Sequence, residues 1–313
     1  MTHVLVLGAS GMLGHVVCKY LFGKEGYHVT GSVQHISKSH ESIMANRILE
    51  YSVISNIQAA SSADTGVGDI NSIYGILRDG KFDYVINCIG KIKPCIDDES
   101  MSSRLGAIMV NSVFPNALSA AAAWAGARVI QIATDCVFSG INGAPYSIGL
   151  RHDAHDVYGK TKSLGEVSGS MLFRNLRCSI IGPELAPNRR SLWEWVRQTE
   201  EPSIKGFKNH TWNGITTLAF ARICDGIMST DGLFDKLDST EFVCPDDITD
   251  KYDLVRLIRS ASGRYDVSVD MALSLDTCNR RLVRSAHNGE MWRAAGYAQV
   301  PTIAELICEM GQF

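Results

Sequence analysis

A doubly wound α/β fold, a parallel sheet with helices on both faces, is predicted by three features of the chain. Short apolar runs alternate with helix-like stretches through residues 1–182, several of those runs are apolar throughout, and the opening strand runs straight into a series of glycines. Alternation of this kind is what a sheet covered on both faces produces. Val4–Leu7 reads as the first strand and Met12–Phe22 as the helix after it. His28–Val33 reads as the second strand, and a short third strand is expected near Tyr51–Ile54, within a Ser- and Ala-rich stretch from Ile36 to Gly68. Asp83–Ile89 is almost continuously apolar, as a strand buried on both faces should be. A helix around Ile108–Ala125, a strand at Arg128–Ala133, a loop over 140–156, a helix over Tyr158–Gly169 and a strand over Asn175–Ile181 complete this half.

Past Gly182 the rhythm weakens. Ser191–Arg197, Leu218–Ser229, Tyr252–Ala261 and Thr302–Met310 read as amphipathic helices joined by polar loops. The expected organisation is a nucleotide-binding domain over residues 1–182 and a smaller, mostly helical substrate-binding lobe over 183–313, interleaved with the sheet.

Composition removes several function classes. The 313 residues are 45% hydrophobic and 20% charged, which speaks against long disorder. A net charge of −3 leaves no electrostatic footprint for nucleic acid or an anionic membrane. No apolar run approaches the roughly 20 residues of a membrane span, and the N-terminus lacks the form of a signal peptide. The nine cysteines are scattered, without a Cys-x-x-Cys pair, so reduced thiols and a cytoplasmic location are expected, with no metal site.

The chemistry begins at Gly8-Ala9-Ser10-Gly11-Met12-Leu13-Gly14. A pyrophosphate on a helix N-terminus needs close backbone approach and open N–H groups, which side chains at Gly8, Gly11 and Gly14 would obstruct. The fold is therefore read as Rossmann-type, with Gly8 making the turn, Gly11 admitting the phosphates and Gly14 letting helix and strand pack. After the second strand comes Thr30-Gly31-Ser32-Val33-Gln34-His35, with no acid to hold a ribose 2′-hydroxyl and with Lys38 just beyond. That leans towards NADPH, with NADH still open. Asp69 can meet an adenine amino group or simply cap a helix. Cofactor contacts are expected from Gly8, Ser10, Gly11, Met12, Leu13, Gly14, Ser32, His35, Asp69, Ile70, Cys88, Ile89, Gly90, Asn111, Tyr158 and Lys162.

Proton transfer is assigned to Tyr158 and Lys162, which share a helix face at i and i+4. A ketone taking up hydride gathers negative charge on oxygen and needs a donor. Tyrosine, with a pKa of about 10, serves poorly until a nearby cation favours its anion. Thr134 ends a predicted strand, where ligands gather in open α/β sheets, and its hydroxyl can donate to the same oxygen. Asn111 can support the lysine through water or can mark a kink. His152 and His155 read as loop residues.

On GASGMLG at the N-terminus, VINCIG, VNSVFPNAL from 110, ATDCVFSG at 133–140 and YGKTKSLGE at 158–166, the chain resembles an extended short-chain dehydrogenase/reductase. Within that family it is similar to the dTDP-4-dehydrorhamnose reductase group, over roughly the first 185 residues and more loosely beyond. The resemblance implies Thr134, Tyr158 and Lys162 as the catalytic triad. It also implies reduction of the C4 ketone of a nucleotide-linked 4-keto-6-deoxyhexose in deoxysugar and polysaccharide biosynthesis. Between Pro187 and Asn213, where the nucleotide should be held, the chain departs from the group's pattern, and Arg189, Arg190, Lys205 and Lys208 are the basic residues available for a diphosphate. Some members hold magnesium at a dimer interface. A homodimer stays open here, but no carboxylate cluster asks for the metal. A sugar-nucleotide 4,6-dehydratase needs two adjacent carboxylates after the threonine, and Cys136 follows Asp135 here. A 4-epimerase using the same tyrosine and lysine, and a non-catalytic NADP-binding regulatory subunit, are the alternatives.

Overall fold

The computed structural model describes residues 1–33, 72–141, 145–185, 190–275, 278–279 and 281–313. The strand expected near Tyr51–Ile54 lies outside them, as do His35, Lys38, Asp69, Ile70, Pro187 and Arg189. The main sheet is built from β1 (Thr2–Leu7), β2 (Tyr27–Gly31), β3 (Tyr84–Asn87), β4 (Arg128–Thr134), β5 (Phe173–Cys178) and β10 (Thr240–Phe242), in the order β10-β5-β4-β3-β1-β2. The pairs β2–β1, β1–β3 and β3–β4 are parallel, with Val4 beside both Val29 and Tyr84. Leu5, Val6, Val85, Ile86, Val129 and Ile130 are wholly buried, which is why these strands read as largely apolar runs. The chain passes from β1 to β2 on one side and later places β3 on the other. That reversal, at the carboxyl ends of β1 and β3, is where ligands enter sheets of this kind.

The described residues gather into two compact units. The first comprises Met1–Ala133, His155–Leu176 and Gly232–Thr240. Its helices are α1 (Gly14–Phe22), α2 (Ser72–Gly80), α3 (Met101–Ile108), α4 (Phe114–Ala125), α5 (Val157–Leu164) and the short α8 (Leu233–Lys236). Phe114, Leu118 and Ala121 of α4 pack with Ile73 and Leu77 of α2 and with Leu5 and Val85 of the sheet.

Three elements differ from the reading of the sequence. Helix begins at Met101 rather than near Ile108, because Ser100 caps it by accepting from the Ser103 N–H at 3.3 Å. α3 and α4 are joined through a π-helical turn, Met109–Val113. Pro115 has no N–H to return to the Asn111 carbonyl, so the regular ladder fails there. The stretch Met101–Ala125 is long and apolar enough, by length and composition, to cross a membrane, contrary to the expectation that none is. Its apolar face is instead part of the core of this unit. α5, thirdly, stops at Leu164 and not at Gly169, since Gly165 ends it and Val167 turns inward to a buried position.

The second unit comprises Thr134–Ala154, Arg177–Asp231 and Glu241–Phe313. It carries α6 (Leu192–Gln198), α7 (Thr217–Ser229), α9 (Lys251–Ala261), α10 (Asn288–Ala294) and α11 (Ile303–Gln312), the last closed by a capping box of Thr302 and Glu305. Stretches read as polar loops also hold short strands. β6 (Ile180–Ile181) pairs with β9 (Ile215–Thr216), and β7 (Ser203–Phe207) pairs with β12 (Ser268–Ala272). β8 (His210–Trp212) lies between β11 (Thr249–Asp250) and β13 (Cys278–Asn279). The strand expected over Asn175–Ile181 is thus two strands that serve two different sheets. Most of these pieces have only two or three residues, too few for an alternating pattern to declare itself.

Candidate active site

The turn after β1 is shaped by close backbone contacts at its glycines. Gly8 has φ of +78°, a conformation L side chains rarely adopt, and a Cβ there would lie 3.1 Å from Ile89 Cγ1 and 3.3 Å from the Cys88 carbonyl carbon. The turn of β1 and the segment after β3 are therefore in contact. A Cβ on Gly14 would stand 2.1 Å from the Gly8 carbonyl oxygen, so the start of α1 rests directly on the turn. Gly11 is exposed, and its N–H donates to the Gly8 carbonyl at 2.9 Å. α1 begins with no side-chain cap at Leu13 and no acidic residue in its first turn, the condition in which N–H groups can receive an anion. Ser10 and Met12 are half-buried and Leu13 is buried. These residues fit a dinucleotide phosphate. Ser32 is buried, and its Oγ accepts from the Gly8 N–H at 3.1 Å, binding the end of β2 to the turn. Burial, with a smaller effect of Cys18, pushes the Cys88 thiol well above its ordinary range and leaves it a neutral group.

From Gly90 the contacts continue to α5. Asn111, buried within the π-helical turn, accepts from the Lys91 N–H at 2.8 Å and donates to the Lys91 carbonyl at 3.0 Å. Its amide also donates to Thr161 Oγ1 at 3.1 Å, and Ser112 Oγ donates to the Thr161 carbonyl at 2.7 Å. Asp156 opens α5: its Oδ1 accepts from the Gly159 N–H at 2.7 Å, and its Oδ2 binds Lys93 Nζ at 2.7 Å. Asp98 Oδ2 accepts from the Val157 N–H at 3.2 Å. Tyr158 is half-buried on this helix, one turn before Lys162. Lys162 is buried, and its ammonium donates to the Ile132 carbonyl at 3.1 Å. Within the first unit the fold thus joins the glycine turn, Cys88–Gly90, Asn111 and the tyrosine–lysine helix.

Thr134 closes β4 and belongs to the second unit. Its Oγ1 accepts from the Cys136 N–H at 3.1 Å and makes a long 3.3 Å contact to Asp135 Oδ1. The loop 149–154 returns to the same segment, with the Asp153 and Ala154 N–H groups donating to the Val137 carbonyl and Asp153 binding Ser139 through both carboxylate oxygens. His152 is anchored by Arg177, whose Nη2 lies 2.7 Å from His152 Nε2. A guanidinium only donates, so Nε2 is the acceptor and the ring is the neutral Nδ1–H tautomer in this contact. The Arg177 guanidinium lies over the rings of Phe138 and Phe242, at 5.2 and 4.7 Å. Of the basic residues considered for a diphosphate, Lys208 is engaged by Asp250 at 2.9 Å and Asp253 at 2.6 Å, Lys205 is exposed on β7, and Arg190 is exposed.

Several residues of this framework carry a signal that a motif search passes over. Asn87 and Gln131 interrupt apolar strands, and Asn175 and Arg177 stand in a strand buried along its whole length. A polar side chain inside an apolar run calls for a partner, but the sequence does not say which.

The family model described as RmlD substrate binding domain matches residues 1–175. The spore coat polysaccharide biosynthesis protein SpsK of Bacillus subtilis is 28% identical over 173 residues, 53% of this chain, and the match spans only 47% of that relative. Among solved structures, a dTDP-4-dehydrorhamnose reductase of Clostridium acetobutylicum is similar at 20% identity and a TM-score of 0.71, covering 99% of this chain and 98% of that one. The same enzyme of Bacillus anthracis, in complex with NADP, matches at 15% identity and a TM-score of 0.70, with 99% and 98% covered. A UDP-glucuronic acid 4-epimerase of Bacillus cereus, with NAD bound, matches at 16% identity and 0.71, again with 99% and 98% covered. At these identities the structures speak for the fold, whereas the family model spans more than half of the chain: the protein belongs to the RmlD substrate-binding-domain family.

Proposed function

We propose that the protein is an NADPH-dependent reductase of a nucleotide-linked 4-keto-6-deoxyhexose, acting in deoxysugar and polysaccharide biosynthesis. The observation that carries the reading is Lys162, a buried ammonium at the Ile132 carbonyl, one helical turn after Tyr158 and in the same unit as the glycine turn. The cofactor, held by Gly8, Ser10, Gly11, Met12, Leu13 and Gly14 with Cys88–Gly90 and Ser32 alongside, supplies the hydride. Tyr158 gives its proton to the carbonyl oxygen, the Lys162 ammonium favours the resulting tyrosinate and binds the ribose, and Thr134 donates a second hydrogen bond to that oxygen. Residues 183–313 supply the nucleotide and diphosphate contacts, whose binding energy orients the ketone. Cys136, in place of a second carboxylate after Thr134, leaves no acid–base pair for dehydration.

Purified protein with NADPH and a panel of 4-keto-6-deoxy sugar nucleotides tests this, followed by absorbance and by NMR of the product. One NADPH consumed per new C4 alcohol is expected, with the free keto sugar a far poorer substrate. Turnover of the sugar without net NADPH oxidation would make the protein a 4-epimerase. Inertness across the panel with tight dinucleotide binding would make it regulatory. A preference for NADH of about tenfold or more in kcat/KM, about 1.4 kcal/mol, would overturn the choice of cofactor.

A further inference from the structure

Three amide side chains cross the middle of the main sheet, where apolar side chains would ordinarily pack. Asn87 on β3, Gln131 on β4 and Asn175 on β5 are 1%, 2% and 0% exposed. Asn87 Nδ2 donates to Gln131 Oε1 at 2.8 Å. Gln131 Nε2 donates to Asn175 Oδ1 at 3.1 Å and to the Gly165 carbonyl at 2.8 Å. Asn175 Nδ2 donates in turn to the Val167 and Ser239 carbonyls, both at 2.8 Å. At the other end Asn87 Oδ1 accepts from the Ile89 N–H at 3.1 Å. Every amide points one way. Turning Gln131 over would set its NH₂ against that of Asn87 and its oxygen against two acceptors.

The ladder reaches both parts of the candidate site. Ile89 is the residue that stands against Gly8. Gly165 follows the last turn of α5 and is pressed onto the π-helical turn, where a Cβ would lie 1.8 Å from the Asn111 carbonyl oxygen. Ile132, next to Gln131 on β4, receives the Lys162 ammonium. Two adjacent residues of one strand therefore grip α5 at positions 162 and 165. Apolar residues could fill the same volume, but their contacts have no direction and would let the helix slide. Hydrogen bonds of this geometry do not.

We propose that Gln131 is a positioning residue: through the Gly165 carbonyl it sets where α5 stands along β4, and through Asn87 it keeps that helix in register with the segment after β3. The proposal rests on the roles given to Tyr158 and Lys162 above. Gln131→Met removes the amide at nearly constant volume, and Val129→Ala, in the same strand, is a control that loses packing only. Gln131→Met should lower kcat at least tenfold per folded molecule, with KM for the sugar nucleotide within threefold. Its pH midpoint for kcat should move up by half a unit or more, because the ammonium is displaced from Tyr158. Val129→Ala should lower the melting temperature with kcat within twofold and the midpoint unmoved. Equal behaviour of the two variants overturns the proposal. Backbone hydrogen exchange separates its failure from that of the functional reading. If the wild type turns over no sugar nucleotide, a tenfold faster exchange of the amides of residues 162–165 in Gln131→Met, with β1 unchanged, still supports the positioning role, and unchanged exchange there overturns it. If Gln131→Met does not fold, Gln131→Asn, whose amide is one methylene too short to reach Gly165, takes the same measurements.

Discussion

At the turn after β1, glycines let the backbone pack on itself, with one side-chain hydrogen bond from Ser32; at α5, side chains hold the backbone throughout. Gly8, Gly11 and Gly14 bring the strand end and the helix start so close that a single Cβ on Gly14 would fall 2.1 Å from an oxygen. α5 is secured differently: by Asp156 and Asp98 at its start, Asn111 and Ser112 along its side, and Gln131 at its end. A turn of the first kind must shift to admit an atom at Gly14, whereas a helix of the second kind tolerates change wherever the hydrogen bond survives.

The largest effect is expected at α5. Tyr158→Phe should lower kcat by roughly 10²–10⁴ while NADPH binding by fluorescence titration stays nearly intact. Retention of most turnover would show that another group supplies the proton.

Gly14→Ala comes next, although it adds only a methyl group. The turn must move to admit it, at about 1–3 kcal/mol of stability. The Kd for NADPH should rise tenfold or more, with kcat at saturating cofactor little changed. Chemical denaturation and titration together would break the contrast if the variant matched the wild type in both.

A third expectation concerns pH. Cys18, buried on α1 behind the turn, has its thiol pushed by burial to about 12 from an ordinary 9.0. Above pH 9 the unfolded chain loses this proton while the folded protein keeps it, so the folded state is progressively disfavoured as pH rises towards 12. The slope is about 1.4 kcal/mol per pH unit for this thiol. Urea unfolding between about pH 9.5 and 11, where the unfolded thiol is mostly ionised, should show the decline, and Cys18→Ala should make it shallower by about that amount. An unchanged slope would mean that the thiol is not held in its neutral form.

The smallest effect belongs to the cap of α5. Asp156→Ala should cost about 1 kcal/mol, and Asp156→Asn, which can still accept from the Gly159 N–H, only a fraction of it. Equal losses in the two variants would shift the importance of Asp156 from the cap to its ion pair with Lys93.

The two regions were not equally legible. The glycine spacing, the apolar strand ahead of it and the helix behind it are readable within fifteen residues, because the left-handed φ of Gly8 and the close approach at Gly14 each call for glycine. The tyrosine–lysine spacing was equally plain. What holds that helix was not: Gln131 lies 34 residues from Gly165, and Asn87 44 residues from Gln131. The second half was harder still, since strands of two or three residues carry no period.

From its sequence alone the chain was committed to a parallel sheet and to a tight turn built around Gly8, Gly11 and Gly14, since apolar runs and spaced glycines leave the backbone few other choices. Tertiary structure alone decided which buried polar group meets which. An amide in an apolar strand states a need for partners, and only the folded neighbours of Asn87, Gln131 and Asn175 determine that the need is met by one another and by the end of α5. It likewise decided what Asn111 binds: Pro115 interrupts the helical ladder from within the sequence, but Lys91 and Thr161 arrive from elsewhere in the chain to meet the side chain.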